Sequence, residues 1–161
     1  VRIDPYERAW IVLGLLVLVA FLVGVVASIT VFGYHLPGPA GYVNPRRLTQ
    51  TPPFDQPGLR QIAPGKYEVV LVAMTWAFRP NEVRVPAGSE VTFVLSSQDV
   101  IHGFRIPNTP VNLMIIPGQI TRTTVRFSRP GEYPFYCHEY CGVGHQVMSG
   151  RIIVESATAA R

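Results

Sequence analysis

Two thiols, an imidazole and a thioether fall within twelve residues near the C-terminus: Cys137, Cys141, His145 and Met148, in the run Cys-His-Glu-Tyr-Cys-Gly-Val-Gly-His-Gln-Val-Met. Thiolate and thioether are soft donors and imidazole is borderline, so the set suits copper above the hard cations. A second imidazole, His102, stands upstream in Asp99-Val100-Ile101-His102-Gly103-Phe104. Taken alone, these residues leave several readings open. Cys137 and Cys141 could close a disulfide, the default for two cysteines in an exported domain; Met148 and both histidines would then have no role. With His102 and His145 they could form a closed tetrahedral zinc site, again without Met148. Met148 could be ordinary core packing. One Cys, two His and a Met make a mononuclear blue-copper site. A second Cys allows two sulfurs to bridge two metals.

Donors so far apart in sequence need a rigid frame to meet. From Lys66 onward, short β-branched and aromatic runs alternate with turn signals. Strands are expected at Tyr67–Met74, Glu82–Val85, Glu90–Leu95, Val111–Ile116, Thr121–Phe127, Glu132–Cys137 and Arg151–Glu155. That many short strands in about a hundred residues point to an antiparallel β-sandwich. Such a fold can bring the His102 loop and the cysteine loop to one end. No segment after residue 66 shows a sustained helical period.

The other two-fifths of the chain read differently. Charged residues are only 15% of the 161, and none occurs from Ala9 to Pro45. Ala9–Phe32 is an unbroken run of 24 apolar or small residues. As a helix it would be roughly 36 Å long, enough to cross a hydrocarbon core of about 30 Å, and it exceeds the apolar region of a signal peptide. Trp10 and Tyr34 stand where interfacial aromatics belong, and His35 follows at the same boundary. The basic flanks, Arg2 and Arg8 against Arg46 and Arg47, barely discriminate orientation. Residues 35–65 hold seven prolines and are expected to be extended and loop-like. The chain thus divides into a tail and anchor at 1–34, a Pro-rich connector at 35–65 and a β domain at 66–161. A composition with 48% hydrophobic residues excludes a disordered chain. Two cysteines exclude a disulfide-stapled mini-protein.

At this point the residues resemble a known family. The run from Cys137 to Met148 is similar to the dinuclear copper A loop of subunit II of haem–copper cytochrome c oxidases, and Asp99–Phe104 resembles that family's first-histidine motif. The likeness extends over nearly the whole chain. A single anchor, preceded by Pro-Tyr-Glu-Arg-Ala-Trp, is most like the B-type oxidases of bacteria and archaea. The resemblance implies a cupredoxin-like sandwich that holds two copper ions. Cys137 and Cys141 would be bridging thiolates, and His102 and His145 a terminal ligand to each metal. Met148 and the Glu139 carbonyl would be weak ligands, and Asp99 would orient the His102 loop or be merely solvated. His138 matches no ligand position.

The resemblance further implies an electron-entry subunit of a proton-translocating terminal oxidase. It would accept electrons from cytochrome c or a similar soluble donor. It would pass them to a haem-containing subunit I, which reduces dioxygen to water, with a further small subunit as another neighbour. The chain lacks a haem-attachment Cys-x-x-Cys-His, so haems would belong to partners. Partners would include membrane lipid but no nucleic acid. The anchor would cross the inner membrane once, with the N-terminus cytoplasmic and the copper domain on the periplasmic side. Trp76 lies near the family's electron-entry aromatic, with buried packing as its bland alternative. Glu7 lies where B-type relatives mark the mouth of a proton-uptake channel, with a solvated or Arg8-paired carboxylate as its alternative. The Glu139 carboxylate is either a magnesium ligand at the border with subunit I or a free carboxylate hydrogen-bonded there. Competing functions are a tethered mononuclear cupredoxin, a zinc-stabilised interaction module and a copper A subunit of a nitric oxide reductase.

Overall fold

The computed structural model describes residues 3–32 and 38–156. Arg2, Tyr34 and His35 lie outside the described residues. The chain forms two compact units, 1–38 and 39–161.

Among the described residues, the first unit holds one helix, α1 (Pro5–Thr30, 26 residues). It begins four residues before the apolar run, because Asp4 and Pro5 together make a helix start. The Asp4 carboxylate accepts the Tyr6 N–H at 2.8 Å, and proline at the first helical position has no donor to waste. Glu7 lies in the first turn, where a carboxylate suits the helix dipole. The helix is long and apolar enough to cross a membrane, and none of its residues is buried. The hydroxyls of Ser28 and Thr30 donate to the carbonyls of Gly24 and Val26 at 2.8 Å. Both polar groups are thereby satisfied within the helix, as an apolar surrounding requires.

The second unit is a two-sheet sandwich. Its strands are β1 (Gly41–Tyr42), β2 (Gly58–Ala63), β3 (Lys66–Met74), β4 (Ala77–Arg79), β5 (Glu82–Pro86), β6 (Glu90–Ser97), β7 (His102–Arg105), β8 (Asn112–Ile115), β9 (Gln119–Arg126), β10 (Gly131–Tyr136) and β11 (Ser149–Glu155). One sheet runs β1-β9-β6-β3-β2, with β4 also on β3, and the other runs β5-β11-β10-β7-β8. The β-sandwich expectation holds. Two of its pairings, β3 with β6 and β5 with β11, are parallel, since short strand signals carry no direction.

The core between the sheets takes alternate residues. Val69, Leu71 and Ala73 of β3 and Phe93 and Leu95 of β6 face Phe104, Phe135 and Ile152 of the other sheet. Phe104 is the hub, with ring centroids 5.4 Å from Phe93 and 5.0 Å from Phe135. Offset and tilted contacts of this kind stabilise aromatic cores beyond their area.

The Pro-rich stretch departs from the loop-like expectation. Pro45–Gln50 is a 3₁₀ helix, started by the Asn44 side chain accepting the Arg46 N–H at 3.0 Å. β2 pairs antiparallel with β3. Leu48 and Phe54 are buried against Val70, Val72 and Val94 on the outer face of the first sheet. β3 is therefore covered on both faces, which explains its unbroken run of apolar residues. Proline density marked the turns but concealed the two hydrophobic anchors between them.

Candidate metal centre

The cysteine loop joins neighbouring strands. Cys137 follows β10 and Met148 precedes β11. The Cys137 N–H donates to the Met148 carbonyl at 3.0 Å, closing the base of the loop. Within it, the His145 N–H donates to the Gly142 carbonyl at 3.0 Å, at the start of a 3₁₀ turn over His145–Val147. Gly142 has φ +116°, which a residue with a Cβ rarely adopts. His102 opens β7, where the expected reading was a loop. A four-residue strand containing His and Gly gives little sequence signal, yet strand geometry fixes its side chain more firmly than a loop would.

His102, Cys137, Cys141 and Met148 are all buried, His102 completely. One donor atom each from His102, Cys137 and Cys141 lies within 4.8 Å of the others. The two sulfurs are 3.8 Å apart and the cysteines are free, since a disulfide is about 2.05 Å long. Around them the donors fall into two similar sets. Cys137 Sγ is 3.9 Å from His102 Nδ1 and 3.2 Å from the Glu139 carbonyl oxygen. Cys141 Sγ is 3.5 Å from His145 Nδ1 and 3.7 Å from Met148 Sδ. Two thiols, two imidazoles, a thioether and a carbonyl lie around the sulfur pair, and this donor set fits copper. Burial, the adjacent Cys137 thiol and the Asp99 carboxylate push the Cys141 thiol up to about 11. It therefore holds its proton at neutral pH until a cation displaces it.

Asp99 is more than a solvated loop residue. Its Oδ1 is 2.9 Å from His102 Nε2 and accepts the Val100 N–H at 2.7 Å. Its Oδ2 accepts the Thr75 N–H at 2.7 Å. Partial burial would raise its pKa, but these bonds from His102, Thr75 and Val100 outweigh it and hold the carboxyl at about 2. One anionic carboxylate thus fixes the outer nitrogen of His102 and tethers the residue before Trp76.

Trp76 is 43% exposed, between β3 and β4. Its Nε1–H donates to the Cys141 carbonyl at 3.0 Å, and its ring lies over Gly142 and Gly144. A Cβ added to Gly144 would sit 2.7 Å from the indole. The two glycines are the seat that lets the ring touch the cysteine loop, a role sequence spacing did not signal. His138 points away from the sulfurs, with Nε2 3.1 Å from the Leu113 carbonyl. The Glu139 side chain lies 3.3 Å from His138 Nδ1, and it joins no cluster of three metal-ligating groups among the described residues. Tyr140, Val143 and Val147 are each well over half exposed around the loop. Glu7 is exposed on α1, in the other unit.

Comparison with known proteins gives a consistent result. The family model for cytochrome c oxidase subunit II, periplasmic domain, matches residues 67–157. A cytochrome c oxidase subunit 2 of Thermus thermophilus is 36% identical over 157 residues, covering 93% of this chain and 92% of that protein. A chain in a solved haem–copper terminal oxidase dimer is 34% identical with a TM-score of 0.62, covering 93% of this chain and 99% of that one. The solved periplasmic domain of cytochrome oxidase subunit II from Bradyrhizobium japonicum is 22% identical with a TM-score of 0.53. It covers 57% of this chain and 86% of that one, and supports the cupredoxin-like fold alone.

Proposed function

This chain belongs to the cytochrome c oxidase subunit II family, and from that premise we propose that it is the electron-entry subunit of a haem–copper oxidase, built around a dinuclear copper centre. The observation that carries the proposal is the doubled donor set. Each cysteine sulfur has its own imidazole nitrogen and its own weak donor, Glu139 carbonyl or Met148 thioether, within 3.9 Å. A single metal would leave half of this arrangement without purpose.

His102, Cys137, the Glu139 carbonyl, Cys141, His145 and Met148 would hold the two ions. The bound pair would share one electron over both metals, so that little rearranges when it arrives. The chain's own residues supply what that transfer needs. Asp99 holds His102 with its Nδ1 turned toward Cys137. Cys137 and Cys141 are buried in the same core cluster as Phe104 and Phe135, which limits the access of water to the sulfurs. Trp76, partly exposed and hydrogen-bonded to the Cys141 carbonyl, offers a short path from a donor protein such as cytochrome c. Electrons would continue to the haem-bearing subunit I, where dioxygen is reduced and protons are moved. The helix α1 would cross the membrane once, with Glu7 at the inner face and the sandwich outside.

Copper content and colour test this. The purified chain, loaded with copper, should bind two ions and show a purple mixed-valence spectrum. Cys137→Ser and Cys141→Ser should each abolish that spectrum. One copper per chain with a blue spectrum would indicate a mononuclear carrier, and preference for colourless zinc would indicate an interaction module.

A further inference from the structure

The strand that leads to Cys137 and the strand that begins with His102 are neighbours, yet the ladder between them is thin. β10 and β7 share a single register pair, Tyr136 with Arg105. That pair lies at the end of β7 away from His102, so backbone pairing does little to fix the two donors against each other. Two further contacts span the gap. The Gly103 N–H donates to Cys137 Sγ at 3.4 Å. The ring of His138, which follows Cys137 directly, lies flat on Gly103, which follows His102 directly. A Cβ added to Gly103 would be 2.6 Å from ring atoms Cγ and Cδ2 and 2.7 Å from Cε1. The far side of the ring is also held. His138 Nε2–H donates to the Leu113 carbonyl at 3.1 Å, and Leu113 of β8 stands opposite Phe104 of β7.

We propose that His138 is a positioning residue for the metal centre: its ring, seated on Gly103 and tied to Leu113, braces the His102 strand against the cysteine loop. The inference rests on the copper reading only for its spectroscopic consequence. The brace itself belongs to the metal-free chain. It accounts for a histidine between two metal-binding cysteines whose nitrogens both face away from the sulfurs. It also explains the glycine after His102, which has ordinary φ and is needed for the ring above it.

The test uses the full chain in detergent and four forms: wild type, His138→Ala, Gly103→Ala and the double variant. In the metal-free protein, amide exchange at Gly103 and Phe104 should quicken at least severalfold in His138→Ala. In the copper-loaded protein, His138→Ala and Gly103→Ala should each alter the visible and paramagnetic resonance spectra. Each should also lower copper retention against a chelator by about 10-fold or more, the usual cost of losing a group that supports metal ligands. Adding Gly103→Ala to His138→Ala should cost nothing further, because the ring it collides with is gone. His138→Phe, which keeps the flat ring without the bond to Leu113, should recover part of the loss. Unchanged amide exchange in His138→Ala, or a full additional effect of Gly103→Ala when the ring is absent, would overturn the brace. If wild type bound no copper, the site reading would fail, and the exchange measurement would still decide the brace.

Discussion

At the scale of single residues, the centre separates groups that would hold metal from groups that tune or orient. Met148 is fully buried beside Cys141, so Met148→Leu, close in volume, should cost less than about 1.5 kcal/mol of stability. As a weak donor it should shift the reduction potential without loss of copper. For a one-electron couple, a tenfold change in relative affinity for the two oxidation states corresponds to about 59 mV, and a shift of that order is expected in a redox titration of the variant. Asp99 acts one step further out. Its folded pKa of about 2 lies below its ordinary 3.8. Its stabilising contribution is therefore present above 3.8 and lost as pH falls through about 2. Asp99→Asn should cost on the order of 1–2 kcal/mol at neutral pH. It should also flatten the acid limb of the stability curve, as measured by denaturant titration at several pH values. An acid limb identical to wild type would remove Asp99 from the group of residues that fix His102.

At the scale of elements, the Pro-rich stretch is part of the sandwich. Leu48 and Phe54 cover the outer face of β3 and β6, while the donors lie on the inner side with the main core. Stability and metal chemistry should therefore separate here. Leu48→Ala should cost about 2–5 kcal/mol and Phe54→Ala about 3–5 kcal/mol, lowering the melting temperature while leaving the copper spectrum unchanged. A fragment of residues 66–161 would expose Val70, Val72 and Val94 and leave β3 without its partner β2. Such a fragment should melt lower than one of residues 39–161 and associate at lower concentration. Equal melting curves would show that the cover is dispensable.

At the scale of the whole molecule, the chain carries an apolar helix long enough to cross a membrane and a subunit II domain, and its family belongs to haem–copper oxidases. Glu7 belongs to this scale, because among the described residues of its own unit its one visible feature is a favourable place in the first turn of α1. Glu7→Gln in the assembled oxidase should slow turnover where proton uptake limits the rate, and leave reduction of copper by the donor unchanged. Normal turnover under those conditions would return Glu7 to the role of an exposed helix-start carboxylate.

The sequence by itself determined the parts that depend on local composition. The apolar run dictated α1, because a bilayer-length helix needs only consecutive residues without charge. Alternation and turn residues dictated most strands of the sandwich. The candidate ligands Cys137, Cys141, His145 and Met148 could be picked out because they sit in one short loop, where spacing alone limits what they can reach. Contacts between distant residues were decided only by the tertiary structure. His102 meets Cys137 because β7 and β10 lie side by side, and no local pattern encodes that pairing. Asp99 reaches Thr75, 24 residues away, and Trp76 reaches Cys141, 65 residues away. Leu48 and Phe54 looked like isolated apolar residues in a loop until β3 and β6 supplied the surface that buries them. Glycines 103, 142 and 144 have no side chain to read and gave no chemical signal. Their purpose appears only when the rings of His138 and Trp76 come to rest where a side chain would have been.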